Sequence, residues 1–195
     1  MAYVPKILAF AGSTRTDSFN KKLVKIAAAG ARAAGAEVTE LDLRALPMPL
    51  YDGDLEAKEG IPPNAQKFKA LLLAHQGLLI SAPEYNSGIS GVLKNAIDWA
   101  SRSTPGEAPL VCFVGKVAAL MSASPGALGG LRGLGHVRSI LGNIHVLVLP
   151  DQVAVPRAHE AFNSDGTLRD SKQQTSIEQL GRNLTEMLVK LNRTT

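Results

Sequence analysis

The chain is 195 residues long, 45% apolar and 19% charged, with 21 basic against 17 acidic side chains for a formal charge of +4. That length suits one domain, residues 1–195, with a substantial buried core, and the composition is that of an ordinary soluble globular protein. No apolar run is long enough to span a bilayer, and the scattered Lys and Arg residues, without a dense tract or interleaved aromatics, argue against a nucleic-acid surface.

The mild positive charge instead suits attraction of polyanionic small molecules such as nucleotides. The N-terminal "MAYVPKILAF" lacks the layout of a signal peptide. A single cysteine, Cys112 in "PLVCFVG", excludes an internal disulfide framework and reads as a small buried hydrophobe. A reducing, cytoplasmic compartment is therefore expected.

"KILAFAG" (6–12) reads as a buried strand. Leu23, Ile26, Ala27, Gly30, Ala31 and Ala34 follow at helical spacing, with Gly35 as a stop. "AEVTELDL" (36–43) alternates and reads as the second strand, and residues 44–62, rich in Pro, Gly and acid, read as a long surface loop. "PPNAQKFKALLLAH" (62–75) opens with proline as first helical turns often do. "GLLISAP" (77–83) is the third strand, and in "GVLKNAIDWAS" (91–101) Leu93, Ala96, Ile97 and Ala100 share one helical face. "KVAALMSAS" (116–124), "GGLRGLGHVRSILG" (129–142) and "IHVLVLP" (144–150) read as strand, helix and strand. The turn-rich "FNSDGTLRD" (162–170) leads into an amphipathic helix near 172–191.

Five strands alternating with helices predict a mostly parallel α/β sheet covered on both faces. Ligands of such sheets bind outside the carboxyl ends of the strands. Three loops there are unusual: "GSTRTDSFN" (12–20), "PEYNSGIS" (83–90) and "SASPGALGG" (122–130). The first suits a phosphate. Gly12 permits a sharp turn, Ser13, Thr14 and Ser18 offer hydroxyls, Arg15 offers a forked cation, and the amides near Asn20 open a helix at its positive end. The competing reading is an ordinary turn with Ser18 or Asp17 as N-cap. Neither a Walker loop nor GxGxxG is present, which argues against ATP hydrolysis and a dinucleotide pyrophosphate at this position.

In the second loop Pro83 stiffens the turn, while Glu84, Tyr85 and Asn86 can meet a flat ring with polar edges, or else bond local backbone. In the third, Ser122, Ser124, Gly126 and the Gly129-Gly130 pair allow close backbone approach. A phosphate at one end and a polar-edged ring at the other describe a mononucleotide, and FMN is the natural candidate.

Gly12, Ser13, Arg15, Ser18 and Asn20, with Pro83-Glu84-Tyr85-Asn86 and the helix Leu93–Trp99, resemble the NADPH-dependent FMN reductase family over most of residues 6–150. The resemblance implies a flavodoxin-like, doubly wound five-stranded parallel sheet in the order 2-1-3-4-5, with helices on both faces. It also implies a first loop on the FMN phosphate, a second on the isoalloxazine, and Ser124 with its neighbours along the ribityl chain or ring. The chain departs from the family pattern at Ser90-Gly91, where Pro-Gly is usual and where a softer helix start is expected; Asp17 in the phosphate loop is electrostatically unexplained.

The resemblance further implies that NADPH or NADH gives hydride to bound FMN, which passes electrons to a small acceptor: quinone, free flavin, azo compound or metal oxyanion. No catalytic side chain is then required, since the cofactor carries the chemistry. No metal-ligand spacing stands out, and His75, His136, His145 and His159 are isolated and read as structural or solvated. Trp99 is a flavin neighbour, a core residue or an interface residue, and Lys94 and Asp98 pair along their helix. A homodimer or homotetramer is expected from the family. The rival functions are a non-enzymatic flavodoxin-type electron carrier and a binding or signalling module on the same fold.

Overall fold

The computed structural model describes residues 3–192. Strands β1 (Lys6–Ala11), β3 (Gly77–Ser81) and β6 (Val117–Ala123) are buried almost throughout, as central parallel strands covered on both faces must be. With β2 (Glu37–Asp42) and β7 (Leu147–Val155) at the edges, they form a five-stranded parallel sheet in the order β2-β1-β3-β6-β7. Counted along this sheet alone the order is 2-1-3-4-5, the flavodoxin-like arrangement. A separate two-stranded hairpin, β4 (Glu84–Tyr85) and β5 (Gly88–Ile89), follows β3.

Helices α1 (Phe19–Ala33) and α7 (Ser171–Leu191) cover one face around Leu23, Ala27, Ile177 and Leu184. They pack closely enough that a Cβ on Gly30 would clash with the Glu178 carbonyl oxygen, and one on Gly181 with the Ala27 oxygen. Helices α3 (Pro63–Ala74), α4 (Gly91–Ala100) and α5 (Leu131–Asn143) cover the other face around Phe10, Phe68, Leu93 and Leu134. The four-residue α6 (Ala158–Ala161) follows β7.

Two expectations are corrected. Residues 44–62 are not a plain loop: a 3-10 turn at Leu43–Ala45 and helix α2 (Gly53–Glu59) interrupt them. The Asp52 carboxylate caps α2 by accepting from the amides of Asp54 and Leu55 at 2.8 and 3.4 Å, but α2 buries no side chain, so no apolar periodicity marks it. The segment is strapped to α4: Asn95 accepts from the Tyr51 amide at 2.8 Å, and Asn95 Nδ2 and Trp99 Nε1 both donate to the Pro49 carbonyl. Trp99 is thus a buried structural residue with Tyr51 packed edge-on at 5.0 Å.

The fifth strand of the sheet does not stop at residue 150. β7 continues to Val155, and its register against β6 slips around Pro150, between the Ala118↔Val148 and Leu120↔Gln152 pairs. An edge strand tolerates a proline at such an irregularity. The Arg138 guanidinium holds it, donating to the Val148 and Pro150 carbonyls and to Gln152 Oε1 at 3.4, 3.2 and 3.1 Å.

Candidate functional site

All three polar loops reach one rim, at the carboxyl ends of β1, β3 and β6. The first leaves the sheet at Gly12, whose amide still donates to the Ser81 carbonyl at 2.9 Å. Ser18 is the N-cap of α1 and accepts from the Lys21 amide, while Asp17 lies exposed beside it. Among the described residues, no protein group accepts from the backbone amides of Ser13, Thr14, Phe19 or Asn20. These unpaired amides open a fifteen-residue helix at its positive end, and Arg15 lines the same cavity.

The Asn20 side chain holds this turn in place. Its Oδ1 accepts from Ser81 Oγ at 2.8 Å and from the Ala123 amide at 3.0 Å, and its Nδ2 donates to the Ala123 carbonyl at 2.9 Å. One buried amide group thereby ties α1 to the ends of both β3 and β6.

The second loop is a tight hairpin whose central residues, Asn86 and Ser87, have φ of 52° and 64°. These left-handed conformations match the type I′ turn that suits the twist of paired strands. Glu84 faces away from the turn: its Oε2 accepts from the Gly133 amide at 2.8 Å, capping α5, whose own N-cap Gly130 has no side chain to do so. Arg132 donates to Ser87 Oγ at 3.0 Å. Tyr85 remains 52% exposed on the rim. Ser90 does not soften the start of α4; it is the helix N-cap, accepting from the Leu93 amide at 3.2 Å.

The third loop hangs from the end of the fifth strand. The Ser124 amide donates to the Val155 carbonyl at 3.1 Å, and the Ala158 and Arg157 amides donate back to Ser124 and Gly126 at 3.0 and 3.3 Å. Ser124 Oγ accepts from the Gly126 amide at 3.3 Å. Ser122 is fully buried, and its hydroxyl has no hydrogen-bond partner among the described residues.

Between the loops lies a cavity of about 200 Å³. Of the residues expected at the site, Ser13, Arg15, Ser18, Asn20, Pro83, Glu84, Tyr85 and Ser124 line it. Gly12, Thr14, Asn86, Ser122 and Gly126 do not. Phe19, Ala123 and Pro125 line the cavity without having been singled out, since an apolar residue beside a polar motif carries no signal of its own.

A second cleft of about 400 Å³ runs between α1 and β2 past Lys21, Lys22, Lys25 and Asp42. Burial works against ionisation of Asp42, but the Lys21 hydrogen bond at 2.7 Å and the Arg44 amide outweigh it and hold the carboxyl below its usual value. His75 is buried and bonded to the Leu71 carbonyl and Thr39 Oγ1 at 2.6 and 2.8 Å, a structural placement. Among the described residues no group of three or more His, Cys, Asp or Glu could hold a metal ion. No described helix is long and apolar enough to cross a membrane.

The rim's geometry agrees with what the chain is similar to. A sequence profile described as NADPH-dependent FMN reductase matches residues 5–160. An NAD(P)H-dependent FMN reductase of Pseudomonas aeruginosa is 39% identical over 176 residues, covering 89% of this chain and 90% of that protein. An NAD(P)H:quinone oxidoreductase of Solanum tuberosum is 32% identical over 193 residues, covering 96% and 95%. Among solved structures, the flavoenzyme NAD(P)H:(acceptor) oxidoreductase FerB from Paracoccus denitrificans aligns with a TM-score of 0.80 at 28% identity, over 96% of this chain and 98% of that one.

Proposed function

The chain belongs to the NADPH-dependent FMN reductase family, and on that premise we propose that it is an FMN-dependent NAD(P)H oxidoreductase that reduces a small acceptor. The observation that carries this reading is a single cavity with unpaired helix-start amides and Arg15 at one end and the Tyr85 hairpin at the other. Free donors beside a cation and an exposed aromatic on one rim are the groups that an FMN phosphate and ring would call for.

In this reading the amides of Ser13, Phe19 and Asn20, the Ser13 and Ser18 hydroxyls and the Arg15 guanidinium grip the terminal phosphate. The Glu84–Asn86 backbone and Ser124 meet the polar edge of the ring, and Tyr85 offers its flat face. When bound, FMN supplies the redox chemistry, taking hydride from NADPH or NADH and passing two electrons on. The protein's part is placement: the Asn20 clamp fixes the phosphate end, and Glu84 fixes the hairpin against α5.

A quinone is the acceptor favoured by the relatives' names, with free flavin, azo compounds and metal oxyanions needing only the same ring face. We place the protein in the cytoplasm as a homodimer or homotetramer, which light scattering coupled to gel filtration measures. The test of function is anaerobic. NADPH or NADH added to the FMN-loaded protein should bleach the visible flavin band, and a quinone should restore it. Protein that binds FMN but is not bleached by either nucleotide is an electron carrier, and protein that stays colourless with FMN is a module for another anion.

A further inference from the structure

We infer that Ser90 is a positioning residue for the phosphate end of the site, acting through the peptide between Gly12 and Ser13. The inference rests on the FMN reading above and assigns this hydroxyl a second role beyond capping α4.

Two hydrogen bonds define the role. The Gly12 carbonyl can only accept, so Ser90 Oγ must donate to it, at 2.6 Å. The Leu93 amide can only donate, so the same oxygen accepts from it, at 3.2 Å. Ser90 is 5% exposed, so neither bond competes freely with water. One buried hydroxyl therefore joins the start of α4 to the start of the phosphate loop, 78 residues earlier.

The consequence follows from the peptide bond. Among the described residues no peptide bond is cis, and in a planar trans peptide the C=O and the N–H point to opposite sides. Holding the Gly12 carbonyl towards Ser90 turns the Ser13 N–H the opposite way, away from α4. That amide has no protein acceptor among the described residues, and Ser13 lines the cavity. Gly12 is fixed from its other side as well, because its own N–H donates to the Ser81 carbonyl. A Cβ at Gly12 would lie 2.8 Å from Leu93 Cβ and 3.2 Å from Ser90 Oγ, so the close approach that allows the bond also requires glycine. Without the Ser90 donor the Gly12–Ser13 peptide is free to rotate, and the Ser13 amide loses its fixed aim.

The test separates the phosphate from the rest of the flavin. Apoprotein is titrated with FMN and with riboflavin, which lacks the phosphate, following quenching of flavin fluorescence. Ser90→Gly is the chosen variant because glycine is an acceptable N-cap, so α4 keeps its start. It should weaken FMN binding about ten-fold while changing riboflavin binding by less than about two-fold, and Ser90→Thr, which keeps donor and acceptor, should restore FMN binding. Equal weakening of both flavins, or unchanged FMN binding, overturns the inference. In the wild-type protein, independently of any variant, the Ser13 amide resonance should move on adding FMN and stay in place with riboflavin; no FMN-specific movement overturns it too. Wild-type protein that binds neither flavin would instead contradict the FMN reading.

Discussion

Residues 12–20 and residues 83–90 are both short, polar and set on the same rim, yet their hydrogen bonds run in opposite directions. In the first loop the amides of Ser13, Thr14, Phe19 and Asn20 have no protein acceptor among the described residues, and Arg15 and Asp17 stand in solvent. In the second, the chemically suggestive side chains are committed to the protein: Glu84 to the Gly133 amide, Ser87 to Arg132, and Ser90 to Gly12 and Leu93. The first loop leaves its backbone donors unpaired; the second uses its side chains to hold the hairpin and leaves Tyr85 exposed on the rim. A polar side chain in such a loop can serve as a brace, as Glu84 and Ser90 do, and its hydrogen-bond partner shows it.

Substitutions can break or sharpen that contrast. The largest effect is expected at Asn20, the brace the first loop does contain. Asn20→Leu leaves the Ser81 hydroxyl and both polar groups of Ala123 without partners in a buried place, at a cost of about 3 kcal/mol. Thermal melts should then fall by roughly 6–12 °C. A melt unchanged within error would mean that Asn20 is no brace.

Next is Glu84→Ala, which uncaps α5 and should cost about 1–2 kcal/mol, while Glu84→Gln, keeping an acceptor for Gly133, should recover most of it. If Ala and Gln variants melt alike, the capping role is lost and Glu84 returns to being a ligand contact. Arg15→Ala should do the reverse: FMN binding weaker by about ten-fold, with the melting temperature of the apoprotein unmoved because the side chain is exposed. The smallest change is expected for Asp17→Asn. Removing one exposed negative charge next to the phosphate turn should tighten FMN by about two-fold at low salt, and the gain should vanish as salt rises. A looser complex would show that Asp17 supports the turn.

Much of this was legible in the sequence, for identifiable reasons. Central strands such as "GLLIS" announce themselves because both faces are buried, and α1 and α4 because one face is. The rim followed from the rule that places such loops at carboxyl ends. What could not be read are roles set by distant partners. Asn20 and Glu84 were identified as site residues, but the groups that engage them lie 103 and 49 residues away. Ser90 reads from sequence as a softer helix start because its partner, the Gly12 carbonyl, lies 78 residues earlier. Helix α2 carries no apolar periodicity because only Leu55 packs, partly buried, against the core, and Pro150 resembles the end of β7 but sits at an edge irregularity.

A crystal structure of the FMN complex would show whether the first loop holds the phosphate end of an FMN site. In that complex the terminal phosphate should lie within hydrogen-bonding distance of the Ser13 and Asn20 amides and of Arg15, with the ring beside Tyr85. A phosphate seated instead in the lysine-lined cleft between α1 and β2, or a ring away from residues 83–86, would contradict it.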